Sequence, residues 1–425
     1  MRNLNLFLKH FFQNKGFLVF LSILIEKVVG LLNTIFVVRM ISEEDYGLIT
    51  IIASLFGVFI TLNGFGAIQG LLRYGALEKD ENNRNQLSNY IFKQGLKRHL
   101  LLIILFFILA CFYEFKYYNI WIVVAFFSIR MLGYYLYAFI LNYYRLHNLN
   151  EKFAKISIFI NSLGLLLAIV FTYCFGKYGY LFGLSITPWL ALFFYKKTIF
   201  SSVLFTLKEF NKKEFWKYSI NSSATYFLSE LLFMVDVFLI GFLLNEKAVA
   251  NYKVAIILPM NLMFIPLIFM QTDYPKIVSN SRNITYLKFY IRNYYKLFIP
   301  LSFFIVLIGF MLKDWILSFI FGADYNENGW MFFIILIAVA FNMCFRNLYG
   351  NLLSALGLAN KNTRVAFLSL IIMLLLGYIL IQLFGNLGAA IALAVTFMIM
   401  GFYSAYIFYQ YLHKLENDEQ NREIN

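Results

Sequence analysis

The chain has 425 residues, of which 61% are hydrophobic and 14% charged, and its mean hydropathy is +0.71. Charged residues alone supply about a quarter of a soluble globular chain, so a soluble fold is excluded and a polytopic membrane protein is indicated. The net charge of +14 and pI near 9.4 follow from membrane topology, as shown below, and no nucleic-acid partner is expected.

Twelve apolar stretches are each long enough to cross about 30 Å of hydrocarbon as a helix, the third only marginally. They lie near 17–41, 47–71, 99–113, 120–143, 156–175, 179–195, 219–243, 249–270, 297–318, 330–353, 365–384 and 387–411. All are continuously apolar, without the alternation a β-barrel requires, so the expected fold is all-α. The first carries Glu26 and Lys27 and no small-residue cleavage site follows it, which makes it a retained helix rather than a signal peptide. A short acidic turn, Ser42-Glu43-Glu44-Asp45, separates it from the second, and a basic loop from Arg73 to Arg98 precedes the third. Arg130 stands in the fourth, Glu230 and Asp236 in the seventh, and Arg346 in the tenth. Pro188, Pro259 and Pro266 interrupt the sixth and eighth and are expected to kink them. The organisation expected is an N-terminal lobe (1–195, six helices), a cytoplasmic amphipathic connector (196–217), and a C-terminal lobe (218–425, six helices and a tail). The connector places Phe200, Leu204, Leu207 and Phe210 on one stripe among lysines, and the first sixteen residues have a similar character; both suit the surface of anionic lipid.

About 27 of the 36 lysines and arginines fall in the loops and tails of one side, against Lys116, Lys177, Lys247 and Lys313 on the other. The positive-inside rule makes that side, and both termini, cytoplasmic. Cys111, Cys174 and Cys344 fall in apolar runs with no metal or disulfide spacing. His10, His99, His147 and His413 all read as lying at cytoplasmic ends, and no metal site is expected.

Two stretches, Phe36 to Thr50 and Leu239 to Val254, repeat one pattern of an apolar run, a short polar turn and a second apolar run. A shift of 203 residues superposes the first three helices on the seventh to ninth, bringing Asn33 onto Asp236, Ser42-Glu43 onto Asn245-Glu246, Arg73 onto Lys276 and Lys93 onto Lys296. A shift near 212 fits the remainder, with Tyr137 on Tyr349 and Asn148 on Asn360. Six helices per unit is an even number, so the repeats are parallel, as in transporters whose lobes are related by an axis along the membrane normal. A central cavity between two six-helix lobes is the expected architecture.

The hairpin, the loop FGADY at Phe321 to Tyr325, the stretch LFGNLGAAIA at Leu383 to Ala392 and the six-plus-six duplication together resemble the multidrug/oligosaccharidyl-lipid/polysaccharide exporter superfamily, and within it the O-antigen and capsule repeat-unit flippases. That resemblance implies translocation of an undecaprenyl-diphosphate-linked oligosaccharide from the cytoplasmic to the periplasmic leaflet of a bacterial inner membrane, by alternating access. It also implies membrane lipid, a polymerase and chain-length machinery as partners. The drug and cation antiporters share the fold and are the alternative. An O-antigen polymerase is disfavoured by short far-side loops, and no nucleotide or metalloprotease motif points to an enzyme.

A charge inside the bilayer costs about 2.5–3.5 kcal/mol on insertion scales, so each must have a partner or a role. Lys27 corresponds to Glu230 under the first shift, and Arg130, Tyr134 and Tyr137 to Asn342, Arg346 and Tyr349 under the second; spacings of four and three set each trio on one helix face. For a diphosphate, guanidinium forks and ammonium groups are suitable donors, and sugars suit tyrosines and asparagine. The candidate substrate-binding residues are therefore Lys27, Arg130, Tyr134, Tyr137, Asn342, Arg346 and Tyr349. Glu26, Glu230 and Asp236 are candidates for ion coupling or lobe pairing; the competing readings are a static ion pair of Glu230 or Asp236 with Arg130 or Arg346, and structural neutralisation of a neighbouring residue by Glu26. No cofactor is expected; a proton or sodium gradient and downhill exchange are both open as driving forces.

Overall fold

The computed structural model describes residues 16–424, except 79, 148, 196–209, 267–269, 271–276 and 278–279. The first fifteen residues, most of the connector, Asn148 and Lys276 thus lie outside the described residues. The described residues form helices: α1 (Gly16–Val38), α2 (Glu43–Ile60), α3 (Asn63–Leu77), α4 (Glu81–Cys111), α5 (Ile120–Leu146), α6 (Asn150–Ile186), α7 (Lys212–Leu243), α8 (Glu246–Leu262), α9 (Ile284–Phe321), α10 (Gly329–Cys344), α11 (Arg346–Ala355), α12 (Ala359–Phe384) and α13 (Asn386–Ile424), with 3₁₀ turns at Phe112–Phe115, Thr187–Phe194 and Ala323–Asn328. Helices α2 with α3, and α10 with α11, each make one bent span.

Helix α6 is two spans joined by a reversal. At Gly176 the backbone takes φ 58°, ψ −138°, a conformation essentially confined to glycine. Beyond it the chain runs back along itself: a Cβ on Gly179 would meet the Phe171 carbonyl oxygen at 1.8 Å, and one on Gly183 would lie 3.0 Å from Ala168 Cα. The same turn recurs between α12 and α13, where Gly385 has φ 58°, ψ −140° and a Cβ on Gly388 would meet the Leu380 carbonyl oxygen at 1.9 Å. Dividing α6 at Gly176 yields twelve membrane spans among the described residues, and the protein is a multi-pass membrane protein. Pro188 does not kink a continuing helix; it opens the 3₁₀ segment Thr187–Phe194 that ends the sixth span.

The duplication is visible in the capping residues. Ser42 accepts a hydrogen bond from Asp45 N and Asn245 one from Ala248 N; Asp80 accepts from Asn83 N and Asn283 from Tyr286 N. Each pair of N-caps is 203 residues apart, and each satisfies one of the orphan N–H groups of a helix start. The caps at Asp80 and Asn283 start α4 and α9 well before the predicted third and ninth spans. A hydropathy criterion stops where charges begin, whereas the helix continues through Lys93, Lys97 and Arg98, and through Lys288, Arg292 and Lys296.

For the second part of each repeat, the register is 209 rather than 212. His99 Nε2 donates to the Met131 carbonyl at 2.9 Å, and Ser302, its counterpart at 203, donates to the Ala340 carbonyl. Met131 and Ala340 are 209 residues apart, as are Leu149 and Leu358, which enter α6 and α12 after donating to the Tyr144 and Leu353 carbonyls, and as are Gly176 and Gly385. A continuous apolar helix offers little to fix register, and a slip of three residues is close to one helical turn, so apolar faces align nearly as well at 212.

The chain divides into two compact units, residues 1–230 and 231–425, with the boundary inside α7 rather than at 217. The early turns of α7 belong to the N-terminal lobe because they pack into it. Phe215 and Trp216 join its core with Leu71, Ile91 and Phe139, and the Arg98 guanidinium lies 3.6 Å over Trp216 while Arg73 lies 4.3 Å over Tyr218. Close approach is allowed because Gly66 and Gly70 present no side chain: a Cβ on Gly66 would lie 1.9 Å from the Ser219 oxygen.

Within that lobe α3 begins with three consecutive left-handed residues, Gly64, Phe65 and Gly66. His99 is fully buried, not interfacial as its neighbouring charges suggest. Its Nδ1 accepts from Gly64 N at 3.3 Å and its ring stacks on Tyr135, so a neutral imidazole with the proton on Nε2 fastens this turn to α5.

Candidate functional site

The N-terminal lobe concentrates intramembrane polar groups on the facing sides of α1, α5 and α6. On α5, Arg130, Tyr134 and Tyr137 follow one another at i, i+4 and i+7 and share a face, as the sequence predicts. Arg130 Nη1 donates to the Leu184 carbonyl on the sixth span, one turn beyond Tyr180, and its guanidinium stands 5.4 Å over the Phe56 ring. Tyr134 meets Phe56 edge-on at 6.1 Å and Tyr137 at 5.6 Å. At the other end of the stripe, Tyr137 Oη pairs with Ser157 Oγ at 3.4 Å and accepts from Asn161 Nδ2.

From α1, Asn33 Nδ2 donates to Tyr180 Oη at 2.9 Å. Glu26, two turns earlier on the same face, interacts electrostatically with Tyr134 and Tyr137. Arg130 interacts likewise with Tyr134 and Tyr180. A carboxylate and a guanidinium thus stand at separate positions along one tyrosine-lined stripe. Among the described residues, no carboxylate lies within ion-pair distance of Arg130, so its charge is met by a carbonyl, an aromatic face and phenol dipoles alone.

Lys27 is not part of this cluster. It lies about 100° around α1 from Glu26 and interacts electrostatically with it, both side chains being exposed. Glu230, at the end of the first unit, lies near α2, where a Cβ on Gly57 would be 3.7 Å from its Oε1.

In the C-terminal lobe the predicted trio is dispersed. Asn342 is buried in α10. Arg346 opens α11 just after the break at Phe345 (φ −111°, ψ −68°), with Nη1 folded against Gly350. Tyr349 is buried and committed to a chain of phenols, accepting from Tyr295 at 2.9 Å and donating to Tyr409 at 3.2 Å. Asp236 is buried in a closed arrangement: Tyr252 Oη donates to Oδ2 at 2.7 Å, Val237 N to Oδ1 at 2.8 Å, and Lys253 adds a favourable charge interaction. It partners neither arginine.

The 209 register also withdraws the proposed equivalence of the two stripes. Arg130 and Tyr134 correspond to Val339 and Met343, and Tyr137 to Arg346. Tyr180, Ser157 and Asn161, which complete the N-terminal cluster, were not among the predicted site residues. The available signal was an asparagine inside an apolar span, since a buried amide requires partners. Among the described residues no group of three histidine, cysteine or carboxylate side chains could hold a metal.

A family model described as polysaccharide biosynthesis protein matches residues 12–281. No curated protein matches the sequence. Among solved structures, a lipid II flippase, MurJ, in an inward closed conformation superposes with a TM-score of 0.70 at 16% identity, covering 94% of this chain and 90% of that one. An inward-facing multidrug resistance transporter of the MATE family and MOP superfamily gives 0.65 at 14% identity, covering 92% and 96%. A MOP superfamily transporter from Pyrococcus furiosus, described as having a binding pocket of reversed polarity, gives 0.56 at 14% identity, covering 95% of each chain. The architecture is therefore the twelve-helix fold of these structures, as expected from the sequence.

Proposed function

The chain belongs to the polysaccharide biosynthesis protein family, and from that premise we propose that it is a flippase. Its substrate is an undecaprenyl-diphosphate-linked oligosaccharide, an O-antigen or capsule repeat unit, carried from the cytoplasmic to the periplasmic leaflet by alternating access. The observation that carries the reading is Arg130. An intramembrane guanidinium with no carboxylate partner among the described residues, flanked by Tyr134, Tyr137 and Tyr180, is suited to the oxygens of a diphosphate and to sugar hydroxyls. A multidrug transporter shares the fold, but a cationic drug is repelled by an uncompensated arginine. Glu26 is the proposed coupling group, because it is the carboxylate on the same stripe, whereas Asp236 is held by Tyr252 and Val237 N and serves the architecture of its lobe.

The test is a deletion strain of the source bacterium in which lipid-linked glycans are extracted and their leaflet is determined in sealed spheroplasts. Complete repeat units confined to the cytoplasmic leaflet, and released by the wild-type gene, are expected. Units exposed on the periplasmic side would assign the protein to polymerisation or ligation, and absence of accumulation would favour drug or ion export.

A further inference from the structure

The C-terminal lobe contains a second basic feature, separate from the Arg130 stripe and at the end of the lobe opposite its acidic turns. Lys288, Arg292 and Lys296 lie at i, i+4 and i+8 on α9 and form a ladder of cations along one face. Across from them on α13 stand Tyr409, Leu412 and Glu416, at i, i+3 and i+7. The two helices flank a shallow, open groove of about 730 Å³ lined by the three cations with Tyr295, Tyr409, Ile299, Pro300 and Leu412.

One end of the groove is closed by an ion pair, Lys288 Nζ to Glu416 Oε1 at 2.7 Å. That leaves Arg292 and Lys296 without an acidic partner among the described residues. The floor is the phenol chain, in which Tyr295 donates to Tyr349 and Tyr349 to Tyr409. Each hydroxyl has one proton to give, so Tyr409, which accepts from Tyr349 and also lines the groove, keeps its own proton for another acceptor. Beyond them along α9 the wall turns apolar, with Ile299 and Pro300 both exposed. Two cations and a phenol donor at one end, and hydrocarbon at the other, are the chemistry of a phosphate ester attached to an acyl chain.

We propose that the groove between α9 and α13 binds an anionic phospholipid, its phosphate held by Arg292, Lys296 and the Tyr409 hydroxyl and its acyl chain laid over Ile299 and Pro300. The bound lipid bridges two helices that otherwise meet in this region through the Lys288–Glu416 pair and the tyrosine chain, so anionic lipid steadies the C-terminal lobe. This assignment does not depend on the identity of the transported glycan.

The experiment uses the full chain in micelles containing equal phosphatidylglycerol and phosphatidylcholine, with retained lipid counted by native mass spectrometry. Wild-type protein is expected to retain phosphatidylglycerol preferentially. The double variant R292Q/K296Q is expected to weaken that retention about 25-fold, at about fivefold per cation removed. Y409F deletes one donor, leaves the ring packing in place, and is expected to weaken retention severalfold. Because these positions are exposed or lie at the groove surface, circular dichroism should show unchanged helicity. Equal retention of the two lipids by wild-type protein, or undiminished phosphatidylglycerol retention in the double variant, would overturn the proposal. Displacement of the retained lipid by undecaprenyl diphosphate at a concentration where added phosphatidylglycerol fails to displace it would also overturn it, assigning the groove to the polyprenyl carrier.

Discussion

Replacement of Arg130 is the sharpest test of the proposed role in substrate binding, because its native interactions are few and can be separated. It donates to the Leu184 carbonyl through Nη1 and lies over Phe56; its remaining N–H groups are the donors the proposal assigns to the diphosphate. A hydrogen bond to a charged group contributes about 1.5–3 kcal/mol, so removing one hydrogen bond to the diphosphate should slow transport by about 10- to 150-fold. Arg130→Gln removes the charge but retains an amide able to serve the Leu184 carbonyl, and Arg130→Met removes both. Leaving that carbonyl unsatisfied costs about 1–3 kcal/mol, so the methionine variant should melt lower while the glutamine variant should not. Arg130→Lys keeps the charge without the planar fork and should fall between wild type and glutamine. The measurement is the initial rate at which a labelled undecaprenyl-diphosphate oligosaccharide crosses proteoliposome membranes, normalised to folded protein. Wild-type rates in both the glutamine and methionine variants would refute the assignment of Arg130 to the substrate.

Two further predictions concern the scaffold. Gly176→Ala and Gly385→Ala introduce a Cβ that touches nothing within 4 Å, so their cost is backbone strain alone, about 1–3 kcal/mol each; both should lower the melting temperature by a similar amount, whereas Gly30→Ala, equally open but within α1, should not, and three equal melting curves would sink the twin-turn interpretation. Tyr252→Phe removes the phenol donor from buried Asp236 and should destabilise the protein by about 1–3 kcal/mol. In a double-mutant cycle with Asp236→Asn the losses should be less than additive, and strict additivity would show that the two side chains do not form a functional pair.

Much of the fold was legible in the sequence because membrane insertion imposes strong rules. Apolar length set the number of spans, and the Ser42 and Asn245 turns marked the repeat because both cap a helix in the same way. What the sequence concealed were features independent of hydropathy. The starts of α4 and α9 at Asp80 and Asn283 lie among charges, so a polarity criterion reads them as loop. His99 looks interfacial beside Lys97 and Arg98, yet sits five turns into α4, where two backbone partners satisfy both its nitrogens. At the candidate site, the stripe Arg130, Tyr134 and Tyr137 was readable from spacing on one helix. Its completion by Tyr180, Ser157 and Asn161 was not, because side chains from three helices meet through tertiary packing. The twin strings FGKYG at Phe175 and FGNLG at Phe384 held the true register all along, since only a glycine tolerates their shared backbone angles.

That register changes what the duplication means for transport. The elements kept in both lobes are those that determine chain direction: the N-caps at Ser42 and Asn245 and at Asp80 and Asn283, and the reversals at Gly176 and Gly385. The elements that differ are the intramembrane polar groups, with Arg130 and Tyr134 replaced by Val339 and Met343, and Asn33, bonded to Tyr180, replaced by Asp236, bonded to Tyr252. Any residue other than glycine at this geometry costs about 1–3 kcal/mol of backbone strain, whereas a valine in place of an arginine inside a bilayer relieves an insertion cost of about 3 kcal/mol. An arginine inside the N-terminal lobe carries that insertion cost, and none of the described carboxylates lies within ion-pair distance to offset it. The asymmetry supports the proposal that the diphosphate is recognised by the N-terminal lobe, with Tyr134 and Tyr137 continuing the stripe toward Glu26. In the C-terminal lobe the polar groups Asp236 and Tyr349 are engaged internally, Asp236 with Tyr252 and Val237 N, and Tyr349 with Tyr295 and Tyr409.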